Sequence, residues 1–283
     1  MTRSMKNNKK GPGRRVIPGF GVSLGVTLTM VSLVVLIPLA ALAINALQLS
    51  PGEFWAAVTR GRVLSSFAVS FFSAILAALI NLAMGVLLAW VLVRCDFPGK
   101  RMLDGLIELP FALPTAIAGI TLTSLTVPGG WIGRVFAPLG LKIAYTKVGI
   151  VVALVFVGIP FVVRSVQPVL EKLDGSFEES AFLMGADNWH TFRRVIWPEI
   201  RPAALTGFGM ALARGLGEYG SVVFIAGNKP YATEIAPLMI MGQLQSYDYG
   251  GATAIALVML AASFLILLLM NIVQARAARR TSG

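Results

Sequence analysis

Arg214 and Glu218 stand four residues apart in the apolar run 203–226, so on a helix they share a face. An arginine in apolar surroundings has two uses: a pathway charge, or one half of an ion pair that Glu218 neutralises for helix packing. Both readings stand at this point. The other concentration of charge is EESAFLMGADNWHTFRRVIWPEIRP, Glu178 to Pro202, which carries Glu178, Glu179, Asp187, Glu199 and three arginines between two apolar runs. Further chemistry is scarce. Cys95 is the one cysteine and His190 the one histidine, which excludes an internal disulfide and leaves no partner set for a cysteine or histidine metal site. No Gly-x-x-x-x-Gly-Lys-Ser/Thr loop occurs, so the chain does not cradle a nucleotide by that route. Without paired carboxylates, a histidine cluster or an activated nucleophile in the apolar runs, an enzyme has nothing to work with, and no catalytic residue is assigned.

The elements that must position these charges follow from composition. Of 283 residues 56% are hydrophobic and 13% charged, the balance of a membrane protein. The formal charge of +11 does not gather on one face, so no nucleic-acid partner is implied, and the basic residues read as topology signals. Apolar segments at 20–47, 64–93, 103–127, 148–166, 203–226 and 252–273 each approach or exceed the ~20 residues that cross a bilayer as a helix. The expected fold is all-α, integral to the membrane, with six transmembrane helices. Connections 1–19, 94–101, 164–201 and 274–283 hold 17 Lys and Arg against six in 48–63, 128–147 and 227–251, which puts both termini and the Glu178–Pro202 stretch in the cytoplasm. The first apolar run has 28 residues against about 7–15 for a signal peptide, so it reads as an uncleaved anchor despite the Ala41-Leu42-Ala43 triplet.

Pro110, Pro114 and Pro160 interrupt the third and fourth spans, and each removes a backbone donor. Such spans are expected inside the bundle, where neighbours satisfy the freed carbonyls. Gly207, Gly209, Gly215 and Gly217 in the fifth span allow close helix approach. In the charged stretch, Ser176 and Glu179 have capping-box spacing, Gly185 suits a left-handed closing turn, and Asp187 or Asn188 begins a second helix that should stop before Pro198. The result is two short helices joined by a glycine elbow, apolar on more than one side. One face is expected to meet the bundle and the other a second protein; the alternative is a hairpin lying in the headgroup layer.

Glu179-Ser180-Ala181, Gly185 and Pro198 resemble the EAA loop of ABC importer permeases, with Ser180 replacing the first alanine. RVIPGFGVSLGVTL at 15–28, LPFALPTAIAG at 109–119, IPFVVRSVQPVLE at 159–171 and GLGEYGSVVFIAGN at 215–228 are similar to the T-type (CysT) permeases of sulfate and thiosulfate importers, nearly along the whole chain. Molybdate or other oxyanion permeases share parts of the pattern, and an ATP-independent secondary transporter is the more distant alternative. The resemblance implies a type I ABC importer permease fold with a cytoplasmic coupling helix, in a bacterial inner membrane. Its domains would be a basic cytoplasmic tail (1–19), a first transmembrane helix and outer loop (20–63), a core permease domain (64–273, coupling loop about 174–202) and a second basic tail (274–283). It also implies partners: a W-type sister permease, two ATPase subunits that bind ATP and Mg, an extracytoplasmic sulfate-binding protein, and lipid around the spans. Glu178, Glu179, Ala181, Gly185 and Ala186 would dock the ATPase, and Arg214 with Glu218 would lie on the path of a dianion.

Overall fold

The computed structural model describes residues 20–281, with side chains to Gln274. The basic tail 1–19 and most of 274–283 fall outside the residues so described. The chain divides into two compact units at Gln48–Leu49. The first unit's described part is α1, Phe20–Leu47. A π-helical turn at Ser32–Leu36 ends just before Pro38. Proline has no N–H for the helical ladder and its ring crowds the carbonyl four residues back; the widened turn accommodates both.

The second unit begins with α2, Pro51–Val58, capped by Ser50 and Glu53, which hydrogen-bond each other's backbone amides. The Ser50 hydroxyl, then its amide, donate to the Glu53 carboxylate and hold it below the usual carboxylate range. This short helix lies in the expected outer loop and packs on the last helix of the chain. Next come α3 (Gly61–Arg94), α4 (Lys100–Ala112), α5 (Thr115–Thr126), α6 (Trp131–Phe136) and α7 (Lys147–Lys172). Then follow α8 (Ser176–Leu183), α9 (Asn188–Thr191), α10 (Trp197–Leu216), α11 (Val222–Ile225), α12 (Ala236–Gln245) and α13 (Tyr249–Thr281).

Helices α3, α7 and α10 pack along one another and form the core. One cluster joins Ala74, Ile150, Leu154 and Leu212; a second joins Ala89, Val166, Ile200 and Ala204. Lipid tails are as apolar as these side chains, so contact distance rather than hydrophobic exclusion holds the helices together. Val162 shows how close they come. A Cβ at Gly207 would lie 2.6 Å from the Val162 Cα, and one at Gly85 2.6 Å from its Cβ, so three helices converge on this residue through two glycines.

Three expectations need correction. The third span, 103–127, is two helices, α4 and α5, because Leu113 precedes Pro114 and is driven to extended backbone with ψ 134°. The fifth, 203–226, is α10 and α11 with a non-helical break from Gly217 that contains Glu218. Among the described residues five segments are therefore long and apolar enough to cross a membrane, and one of these, Thr115–Leu139, reaches that length only across the turn Val127–Gly130. The proline rule for burial holds for α7, whose apolar window is 56% buried, and for Pro110, buried inside α4, but in the half of the third span after Pro114 only Ala118, Gly119 and Thr126 of α5 are buried. In the third span Pro114 marks a chain break, so its N–H is not missed from a helix interior.

Candidate functional site

The charged stretch folds as the elbow its residues suggest, with different caps. The Asp174 carboxylate accepts the Ser176 amide at 3.0 Å and Gly175 caps α8, so the Ser176–Glu179 capping box is not formed. At the far end Gly185 takes φ 82°. Its amide donates to the Phe182 carbonyl at 2.9 Å and the Ala186 amide to the Ala181 carbonyl at 3.0 Å, the paired bonds of a Schellman turn. Asp187 then caps α9, its carboxylate accepting the His190 amide at 2.6 Å. The second arm does not stop at Pro198. It passes through a π turn, Phe192–Ile196, directly into α10, with the Trp197 amide reaching back to the Phe192 carbonyl. The elbow is thus a continuation of a bundle helix.

The two sides of α8 differ sharply. Ala181 is buried, while Phe182, Leu183 and Met184 are 73%, 85% and 81% exposed beside the Gly185 turn. Trp189 on the second arm is also exposed. Between the arms lies an open groove of about 560 Å³, lined by Met184, Gly185, Ala186 and His190 among others. Of the five residues assigned to docking, Glu179 and Gly185 are exposed and Ala186 is half-buried. Glu178 turns the other way: Arg94, the last residue of α3, holds its carboxylate through Nη2 at 2.7 Å and Nε at 3.0 Å. Sequence reasoning missed Arg94, because a partner 84 residues away leaves no local pattern.

The second site is the break after α10. Arg214 Nη1 lies 2.5 Å from Glu218 Oε2, the pairing that the four-residue spacing suggests. The Glu218 side chain is 1% exposed, and its second oxygen accepts the amide and hydroxyl of Ser221 at 2.8 and 2.9 Å. A buried carboxylate is tolerated only when its lone pairs are satisfied, as they are here. Arg214 is 36% exposed and, among the described residues, pairs with Glu218 alone. Glu218 engages the guanidinium through Nη1, and a guanidinium has five N–H donors, more than this one contact uses.

Two further ion pairs tie elements together. Arg164 Nη1 meets Asp104 at 2.7 Å and its Nη2 meets Glu108 at 2.8 Å, joining α7 to α4. Arg62 at the start of α3 grips the buried Glu234 with two bonds of 2.7 Å, fastening the loop before α12. Among the described residues no group of three or more His, Cys, Asp or Glu stands together as a metal site would require.

Solved structures share the fold of this helical bundle with its capped, apolar-tipped elbow. A bacterial ABC transporter that imports the acidic polysaccharide alginate matches with a TM-score of 0.75 at 16% identity, over 91% of this chain and 95% of that one. The MetNI methionine ABC transporter matches at 0.56 and 18%, over 81% of this chain and 99% of that one. Residues 81–283 match the family model described as binding-protein-dependent transport system inner membrane component, and the chain belongs to that family. It is 47% identical to the sulfate transport system permease protein CysT of Escherichia coli (strain K12) over 270 residues, 95% of this chain and 98% of the relative. The CysT protein of Synechocystis sp. (strain ATCC 27184 / PCC 6803 / Kazusa) is 45% identical over 249 residues, 88% and 87% of the two chains.

Proposed function

We propose that this chain is a permease subunit of an ATP-driven importer for sulfate and thiosulfate, forming half of the translocation pathway and coupling it to a separate ATPase. The coupling half of the proposal rests on one observation, the exposed Phe182-Leu183-Met184 tip on a glycine-closed elbow built into the bundle. An apolar tip of this size on a charged surface needs a protein cleft to cover it. The substrate half is supported by the sulfate transport named in its relatives. The chain itself performs no catalysis; ATP and Mg belong to the partner ATPase. Two such ATPases, a W-type sister permease and an extracytoplasmic sulfate-binding protein complete the assembly. Both termini and the elbow lie in the cytoplasm in this reading, which the count of 17 basic residues against six supports.

In this reading the ATPase cleft takes the tip together with Glu179, Gly185 and Ala186, while Ala181 and Glu178 support the tip from behind. ATPase closure moves the elbow, and the bundle passes between inward-open and outward-open arrangements. Arg214, held by Glu218, offers an anion a charge that is already compensated, so a dianion is attracted without being trapped. Purification in a gentle detergent tests the assignment: an ATPase and a second permease should co-elute, and vesicles holding the full set should accumulate labelled sulfate only with ATP. Accumulation of molybdate in preference to sulfate would move the substrate to the other oxyanion class. Accumulation without ATP would reject the proposal.

A further inference from the structure

The elbow is joined by the chain to α7 and α10, yet the structure also fastens it to a helix with which it has no covalent connection. Arg94, at the end of α3, binds the Glu178 carboxylate through Nε and Nη2, and the same Nη2 donates to the Leu173 carbonyl at 3.0 Å. Leu173 is the C-cap of α7, so its carbonyl belongs to the terminal set that a helix leaves unpaired. Glu178 sits in the first turn of α8, where a carboxylate is favoured by the helix dipole. One guanidinium therefore bridges the end of one helix and the start of the next, across the Asp174-Gly175 hinge. The side chains of Arg94 and Glu178 are 22% and 26% exposed, so this pair is far less screened than a surface pair.

The second arm is tied to the same turn of α3. Arg94 lies over the Trp90 ring at 6.0 Å, and Trp90 meets Phe192 edge-on at 6.2 Å. Phe192 starts the π turn, is stacked on Trp189 and meets Trp197 at a tilt of 37°. Both arms of the elbow thus reach α3 within one helical turn, one through charge and one through aromatic contact. Above this point α3 and α10 both close onto α7 through the glycine contacts at Val162.

We infer that Arg94 is a positioning residue for coupling: a strut that makes α3 move with the elbow, so that α3, α7 and α10 respond to the ATPase as one body. This rests on the importer reading above. Without the strut, the Asp174-Gly175 hinge would let α8 swing while the core stays behind. Hydrolysis would continue and transport would lag.

The test uses the complete importer in vesicles and reads labelled sulfate taken up per ATP hydrolysed. Arg94→Gln, which keeps an N–H for the Leu173 carbonyl but loses the charge, should lower that ratio roughly tenfold while hydrolysis stays within about twofold of wild type. The exchange Arg94→Glu with Glu178→Arg should restore the ratio to within about threefold. If Arg94→Gln does not reach the membrane, Glu178→Ala is read in its place and should lower the ratio likewise. A ratio unchanged in the assembled variant overturns the strut, as does a parallel loss of hydrolysis and uptake that the exchange does not repair. Failure of the wild-type assembly to couple sulfate uptake to ATP would instead refute the importer reading itself.

Discussion

Arg214 holds a structural ion pair with Glu218 and, in the proposed function, also stands on the anion pathway. Removing it strands a carboxylate that is 1% exposed, and breaking a buried pair in this way costs roughly 3–5 kcal/mol. Arg214→Ala is therefore expected to reduce the amount of assembled protein. Arg214→Lys keeps the pair with Glu218 but loses the planar fork. It should assemble at wild-type level and take up sulfate about tenfold more slowly, a change measured at equal protein in vesicles. Wild-type uptake by the lysine variant would restrict Arg214 to packing. The spacing of the pair was legible from residues 214 and 218 themselves; the Ser221 contacts were not, since they depend on a non-helical turn after Gly217.

The elbow belongs to the scale of elements. Gly185 at φ 82° closes α8, and a β-branched side chain there faces a left-handed penalty of roughly 1–2 kcal/mol. Gly185→Val is expected to leave the spans intact, because a Cβ at this position meets nothing within 4 Å, so the cost is one of backbone conformation rather than collision. The angle between the arms would change and docking would fail. Wild-type amounts in the membrane, with uptake reduced at least about tenfold, is the expected result; normal uptake would refute the docking role. The S-x-x-E pattern illustrates why such local signals divide. At Ser50 the serine precedes the helix and the box closes; at Ser176 the serine is already its first helical residue, and Asp174 has taken its amide. Prolines 38 and 198 likewise do not end their helices, since each follows a π turn that widens the backbone ahead of the ring.

At the scale of the whole molecule, the charge count, the apolar spans and the elbow all fit the proposed role of a part driven by a separate ATPase. The chain has no phosphate loop of the Gly-x-x-x-x-Gly-Lys-Ser/Thr type, and Phe182, Leu183 and Met184 at the elbow tip are left exposed. Vesicles carrying this chain alone, with ATP supplied, should take up no sulfate above empty vesicles. Concentrative uptake by the chain alone would identify a self-sufficient transporter and set aside the motor.

Local order was available from composition and spacing. Helical spans follow because backbone groups in lipid have no partner outside their own helix, and the glycine turn follows from the one residue that adopts positive φ without strain. Where Lys and Arg gather supports the proposed sidedness. What tertiary structure alone decided is which distant groups meet. Arg94 finds Glu178 and Leu173, Arg164 finds Asp104 and Glu108, and Gly85 and Gly207 find Val162. Each of these contacts depends on how separate helices are rotated and shifted against one another, and no periodicity within a single helix carries that information.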